Sequence, residues 1–137
     1  MTVDGGGPVA ELRKILYADD EADIREIVEL TLTTIGQFEV LVCQNGADAV
    51  EKAEGFGADL FLLDVMMPGM TGPETLQRLR RRPEAAHTPV IFITARAHTD
   101  EMDELLRVPQ AGIITKPFDP MTLANEIKGI WQELVAS

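Results

Sequence analysis

Short apolar runs alternate with segments of helical periodicity from Lys14 onward. The runs that predict β-strands are KILYA (14–18), FEVLVC (38–43), DLFLLD (59–64), PVIFIT (89–94) and GIIT (112–115). Most of them are nearly continuous rather than alternating, which is typical of strands that are buried on both faces of a sheet.

Five amphipathic segments follow these runs in turn. The first carries its apolar stripe at Ile24, Ile27, Val28, Thr31 and Ile35. The last begins at Asp119 and Pro120, a cap followed by proline at the first helical position, and its stripe is Leu123, Ile127, Ile130, Trp131 and Leu134. Five strands alternating with five helices predict an α/β fold with a parallel sheet covered on both faces.

The length of 137 residues suits one domain. Residues 1–11 include three consecutive glycines and predict a flexible N-terminal tail, which leaves 12–137 as the domain. The opening residues have neither the basic start nor the apolar stretch of a signal peptide, so none is expected, and no apolar run approaches the roughly 20 residues of a membrane-spanning helix. We therefore expect a cytoplasmic protein that does not contact a membrane.

The charge balance narrows the possible partners. Twelve basic and 23 acidic residues give a net charge of −11, which disfavours nucleic-acid binding and suits a cation-binding protein. The arginine cluster at 78–82 is too short to change that expectation. Cys43 is the only cysteine, so no intramolecular disulfide can form, and its apolar surroundings predict a buried thiol.

The polar residues at the ends of the predicted strands are the candidates for function, because sites in parallel sheets form beyond the carboxyl ends of the strands. Asp19 and Asp20 follow the first strand, Asp64 ends the third, Thr94 ends the fourth and Lys116 follows the fifth. Taken singly, each has a structural explanation as a cap, a turn residue, a β-branched strand residue or a solvated lysine. If the sheet order is 2-1-3-4-5, however, all five converge on one cleft.

Three carboxylates in one cleft repel each other unless a cation compensates them. A hard divalent cation would take oxygen ligands here, and a site that offers few protein ligands and leaves room for several waters indicates magnesium. Phosphoryl transfer needs charge compensation on the transferred oxygens, which a metal ion, Lys116 and the Thr94 hydroxyl would supply. A carboxylate can serve as the nucleophile and form an acyl phosphate.

The segments ILYADDE, LFLLDVMMPGMTG, PVIFITA and ITKPF occur in that order, with spacings of 44, 30 and 22 residues between Asp20, Asp64, Thr94 and Lys116. In this the chain resembles the receiver domain of two-component response regulators, from Lys14 to about residue 134. The resemblance implies a flavodoxin-like (βα)5 sheet of order 2-1-3-4-5. It also implies a signalling protein rather than an enzyme that turns over an external substrate.

The resemblance also implies roles for individual residues. Asp64 is the expected phosphoacceptor, which takes its phosphoryl group from a sensor histidine kinase or a histidine phosphotransfer protein. Asp20, Asp64 and the backbone carbonyl of Met66 are the expected magnesium ligands, and Asp19 is expected to act through a metal-bound water.

Three further expectations follow for the strand ends. Thr94 and Lys116 are expected to hold the phosphoryl oxygens, and Ala95 to keep their approach open. The Lys116–Pro117 peptide bond is expected to be cis, as it is in the family.

The sequence departs from the family pattern at three places. Ile113 stands three residues before the lysine, where the family often has an aromatic switch residue. The segment VPQAG before the fifth strand replaces the usual Gly-Ala pair, so the fourth helix is expected to end differently. Met66 and Arg96 flank the expected water path to the phosphoryl group, and neither is an evident general base. Slow self-dephosphorylation is therefore expected.

Three other functions are compatible with parts of this pattern. A haloacid dehalogenase-type phosphatase needs a second aspartate two residues after the first, where this chain has Met66. A flavin-binding module needs a phosphate-binding loop after the first strand, where this chain has Asp19, Asp20 and Glu21. A receiver-like interaction module without phosphorylation stays open as the alternative.

The output of the chain is also open. The sequence ends soon after the fifth helix, which favours a stand-alone receiver that acts through an unidentified downstream protein or through onward phosphotransfer. A receiver fragment of a longer regulator is the other interpretation.

Overall fold

The computed structural model describes residues 11–95 and 99–136, with the side chain of Thr99 left out. Five strands alternate with five α-helices, and a short 3-10 helix at Pro83–Ala85 precedes the fourth strand. In chain order the elements are β1 (Lys14–Ala18), α1 (Ala22–Thr34), β2 (Glu39–Cys43), α2 (Gly46–Lys52), β3 (Leu60–Asp64), α3 (Gly72–Leu79), β4 (Val90–Thr94), α4 (Thr99–Leu106), β5 (Ala111–Thr115) and α5 (Pro120–Ala136).

All neighbouring strands are parallel, and their order is β2-β1-β3-β4-β5. The predicted sheet class and strand order are therefore confirmed. Every residue of β3 and β4 is buried, because helices cover both faces of these central strands. This explains why their sequences lack the alternation of a half-exposed strand.

Alternating residues of the strands supply two cores, one on each face of the sheet. Ile15 and Tyr17 pack with residues of α1 and α5, whereas Leu16 and Ala18 pack with residues of α2, α3 and α4. Cys43 lies in the second core, where burial raises the pKa of its thiol to about 12. The prediction of a buried cysteine is confirmed.

Local signals fix the helices that follow β3 and β5. Thr71 and Glu74 form a reciprocal capping box at the start of α3, and the Asp119 carboxylate accepts a hydrogen bond from the backbone N–H of Met121 over 2.9 Å at the start of α5. A Cβ on Gly72 would lie 2.6 Å from the carbonyl oxygen of Asp64. Glycine is therefore required where α3 approaches the end of β3.

The apolar stripe predicted for the first helix is only partly buried. Val28 and Thr31 face the core, as predicted, but Ile27 is 46% exposed and Ile35 is 43% exposed. Leu32, which was absent from the predicted stripe, is fully buried in their place. The face of α1 that packs on the sheet is thus centred nearer Val28 and Leu32.

Most of the predicted N-terminal tail (residues 1–10) lies outside the described residues, so the domain boundary stays a prediction. In the part of the chain that the structure describes, no helix combines the length and the apolarity needed to cross a membrane.

Candidate functional site

An acidic cluster lies at the carboxyl ends of β1 and β3, which are adjacent strands. One carboxylate oxygen from each of Asp19, Asp20 and Asp64 lies within 4.8 Å of the others. Asp19 is fully buried and Asp64 is 4% exposed, whereas Asp20 is exposed. The structure thus brings together the three aspartates that the sequence pattern selected, with one open to solvent.

Lys116 supplies the positive charge of this cluster. Its Nζ lies 3.3 Å from Asp64 Oδ1 and 3.7 Å from Asp19 Oδ2, and it also lies 3.6 Å from Glu21 Oε1. The backbone N–H of Lys116 donates to the Thr94 carbonyl over 2.8 Å, which extends the pairing of β4 and β5 up to the lysine. The Lys116–Pro117 bond is cis, as the resemblance implied.

The charges in the cluster are only partly balanced. Burial, reinforced by the charge of Asp19, raises the pKa of Asp64 to about 6, although Lys116 opposes this shift. Burial alone would lower the pKa of Lys116, but the charges of Asp64 and Asp19 outweigh it and raise that pKa. The lysine therefore stays protonated while an excess of negative charge remains around it.

The acidic cluster fits a magnesium ion on the chemistry of its donors. Carboxylate oxygens are ligands that Mg²⁺ prefers, and an exposed carboxylate leaves room for the waters that this ion retains. Three carboxylates facing one ammonium group leave net negative charge that a divalent cation would compensate.

Tyr17 is part of this cluster, although its sequence context did not mark it as a site residue. Its hydroxyl donates to Asp19 Oδ2 over 3.0 Å, while the backbone N–H of Glu21 donates to Asp19 Oδ1, also over 3.0 Å. Burial, followed by the charge of Asp19, raises the pKa of the Tyr17 phenol. Tyr17 therefore remains a donor that fixes the Asp19 carboxylate in place.

We expect Tyr17→Phe to lower the free energy of unfolding by about 1–3 kcal/mol, because a buried carboxylate oxygen loses a hydrogen-bond donor. Urea unfolding at neutral pH measures this change. In an Asp19→Asn background the loss is expected to be smaller, because the buried charge is gone. An equal loss in both backgrounds would show that the hydroxyl does not act through Asp19.

The raised pKa of Asp64 predicts a pH-dependent stability in metal-free protein. An unfolded aspartate titrates near 3.9, so the folded state binds this proton more tightly and loses stability as the pH rises from about 4 through about 6. The amide that replaces this carboxyl group in Asp64→Asn does not titrate. We expect the stability gain of that variant over the wild type to grow by about 2–3 kcal/mol from pH 4 to pH 8 in EDTA. Chemical unfolding at both pH values measures it, and a gain that is independent of pH would contradict it.

The remaining predicted site residues lie around the cluster. Thr94 is 1% exposed and ends β4 next to Asp64 of β3, which pairs with Ile93; its hydroxyl donates to Glu101 Oε1 over 3.3 Å. Met66 is 60% exposed. The roles predicted for these residues stay predictions.

Two residues bear on the departures from the family pattern. Ile113 is half-buried in β5 and pairs with Phe92, so an aliphatic side chain occupies the position where the family often has an aromatic ring. Arg96, which was predicted to flank the water path, lies outside the described residues.

Comparison with known proteins identifies relatives of this arrangement. The sequence model of the family described as "Response regulator receiver domain" matches residues 15–128. The phosphate regulon transcriptional regulatory protein PhoB of Pseudomonas aeruginosa is 36% identical over 118 residues, which are 86% of this chain and 51% of that protein. The chain therefore spans about half the length of this curated relative.

Solved structures share the fold. The chemotaxis protein CheY4 of Vibrio cholerae is 32% identical with a TM-score of 0.80, and the match covers 88% of this chain and 99% of that one. The receiver domain of the sensor histidine kinase PA1611 from Pseudomonas aeruginosa is 24% identical with a TM-score of 0.75, over 93% of this chain and all of that one. The latter structure has a magnesium ion coordinated in its active site cleft, and its likeness to this chain is one of fold. The family match together with the CheY-like sheet shows that this chain belongs to the response regulator receiver domain family of two-component signalling proteins.

Proposed function

We propose that the chain is a phosphoacceptor switch that takes a phosphoryl group onto Asp64 in a magnesium-dependent reaction. The observation that carries this proposal is the buried Asp64 carboxylate, with the Lys116 ammonium 3.3 Å away and two further aspartates beside it. In this proposal Asp64 is the nucleophile, Lys116 is the fixed positive charge and the aspartates are oxygen ligands for a metal ion, and these groups lie together at one edge of the sheet.

Asp64 attacks the phosphorus atom of a phosphohistidine with one carboxylate oxygen. A phosphorus–oxygen bond forms, the phosphorus–nitrogen bond breaks, and its electron pair stays on the imidazole of the donor. Lys116 and the Thr94 hydroxyl donate hydrogen bonds to the transferred oxygens, where negative charge must be stabilised. Apart from this transfer and slow autodephosphorylation, the protein has no catalytic activity in our proposal.

Asp20, Asp64 and the backbone carbonyl of Met66 would hold Mg²⁺ directly, and Asp19 would act through a bound water. When bound, the ion supplies charge neutralisation for the carboxylates and for the transferred phosphoryl group. Asp19 suits the indirect role because both its oxygens already accept hydrogen bonds, from Tyr17 and from the Glu21 backbone.

The phosphodonor in this proposal is a sensor histidine kinase or a histidine phosphotransfer protein. An apolar groove of about 370 Å³ lies directly beside Lys116. Its other lining residues are Ile24, Ile27, Ala95, Pro117, Phe118 and Pro120. Exposed apolar surface beside a phosphorylation site suits a protein donor, because a partner must bring its phosphohistidine to Asp64 while covering this groove.

The output in this proposal passes through protein–protein interaction with a downstream partner, in the cytoplasm where kinase and receiver meet. Nucleic acid is not proposed as a partner of this chain, since its net charge is −11. The alternative, an interaction module that does not use phosphorylation, lacks a structural reason to keep three aspartates and a lysine in one cluster.

Incubation of the purified chain with acetyl phosphate tests the proposal. Intact-mass spectrometry is expected to show addition of one phosphoryl group with Mg²⁺ and none with EDTA. An unmodified protein under both conditions, in a sample that unfolds cooperatively, would favour the interaction module. Modification of equal extent with and without Mg²⁺ would contradict the metal-dependent reaction.

A further inference from the structure

The Thr94 hydroxyl is tied to a helix outside the acidic cluster. Thr94 ends β4 and is 1% exposed, and its Oγ1 donates to Glu101 Oε1 across 3.3 Å. Glu101 lies near the start of α4 and is half-buried. This hydrogen bond links the strand end beside Asp64 to α4.

This hydrogen bond competes with the function proposed for Thr94. A threonine hydroxyl has a single proton to donate, so it serves either the Glu101 carboxylate or a phosphoryl oxygen on Asp64. The distance of 3.3 Å is long for an O–H···O bond, so the bond is a weak one that can be exchanged.

Charge acts in the same direction. A phosphoryl group on Asp64 is negatively charged, and so is the Glu101 carboxylate that Thr94 contacts. Like charges repel each other, and the repulsion is stronger in a partly buried site than in water. The Thr94–Glu101 hydrogen bond and the repulsion by the Glu101 carboxylate therefore both oppose the binding of a phosphoryl group at Asp64.

We infer that Glu101 is a positioning residue that holds the Thr94 hydroxyl away from the phosphoryl position, and that phosphorylation breaks the Thr94–Glu101 hydrogen bond and releases the start of α4. This inference rests on the function proposed above. It supplies a route to α4 that does not use an aromatic residue at position 113.

The packing of α4 suits this release. Of residues 100–106, only Leu105 is buried, whereas α3 and α5 each bury four residues. Few buried apolar contacts mean a low local free energy of opening. The loss of one hydrogen bond therefore changes a larger share of the stability of α4 than it would in α5.

Binding of beryllofluoride, a non-covalent mimic of the phosphoryl group, tests the inference by isothermal titration calorimetry with Mg²⁺. We expect Glu101→Ala to bind it about threefold to tenfold more tightly than the wild type, since one opposing hydrogen bond and a charge are removed. Glu101→Gln retains an acceptor oxygen and is expected to fall between the two. Glu104→Ala removes the same charge from an exposed position of the same helix and is expected to match the wild type.

The Thr94→Val background separates the hydrogen bond from the charge. In that background, the gain from Glu101→Ala is expected to shrink by at least about threefold, because no hydroxyl is left to release. An equal gain in both backgrounds, or no gain at all, would overturn the inference. If wild-type protein fails to bind Mg²⁺ and beryllofluoride, the proposed function fails; if wild type binds and Glu101→Ala binds equally, only the inference about Glu101 fails.

Hydrogen exchange tests the release of α4. Beryllofluoride is expected to speed amide exchange in α4 of the wild type, while α4 of ligand-free Glu101→Ala already exchanges at the faster rate. Protection of α4 that is unchanged by ligand in the wild type would contradict the release.

Discussion

Asp64→Asn is expected to reduce phosphorylation by acetyl phosphate by at least about a thousandfold, which places it below detection by intact-mass spectrometry. An amide cannot replace the carboxylate as a nucleophile toward phosphorus, and removal of a nucleophile is among the most costly changes to a transfer reaction. The variant is expected to fold, because it removes a carboxylate whose pKa is raised by burial and by the charge of Asp19.

Asp59→Asn is the matched control for this variant. Asp59 immediately precedes the same strand, but its carboxylate accepts hydrogen bonds from the backbone N–H groups of Arg13 and Lys14 at the opposite end of the sheet. An asparagine oxygen can accept in the same way, so phosphorylation is expected to be unchanged. Wild-type phosphorylation of the Asp64→Asn variant would place the acceptor elsewhere in the chain.

Asp20→Asn is expected to raise the dissociation constant of Mg²⁺ by about tenfold to a hundredfold. Asp20 is the exposed member of the three-aspartate cluster, so it is the carboxylate most able to meet an ion that keeps several waters. Removal even of residues that only support metal ligands costs a factor of this size. Isothermal titration calorimetry with MgCl₂ measures the change.

Asp23→Asn removes the same charge from an exposed position in the first turn of α1, outside the cluster, and is expected to bind Mg²⁺ with nearly wild-type affinity. If the two variants weaken binding equally, the ion responds to the net charge of this surface rather than to ligation by Asp20.

The sequence predicted most of the fold, but from two different sources. Apolar runs of strand length and the polar residues at their ends depend on local composition, so the strands could be read directly, whereas the order 2-1-3-4-5, and with it the meeting of Asp19, Asp20, Asp64 and Lys116, was implied by the resemblance to receiver domains. The structure places these four side chains together.

Tyr17 could have been recognised from the sequence. Residues two apart on a strand point to the same face, so a tyrosine two residues before Asp19 had a donor in reach of that carboxylate. Tyr17 stands inside a run of apolar residues, where a buried aromatic side chain usually contributes to packing, and this favoured a role in the core over a role as a hydrogen-bond donor.

The contact of Thr94 with Glu101 could not have been predicted in the same way. It depends on where α4 starts after β4 and on how that helix lies against the sheet, and the apolar pattern of this segment fixes neither. The exposure of Ile27 on α1 has a similar origin, since helical spacing shows which residues share a stripe but not which part of it meets the sheet.

The proposed function depends most directly on where the phosphoryl group is attached. After incubation with acetyl phosphate and Mg²⁺, borohydride reduction followed by peptide mass spectrometry locates an acyl phosphate by the residue that is reduced. We expect reduction at Asp64 alone, and none when EDTA replaces Mg²⁺. Reduction at Asp19 or Asp20, or phosphate found only on hydroxyl side chains, would contradict the account.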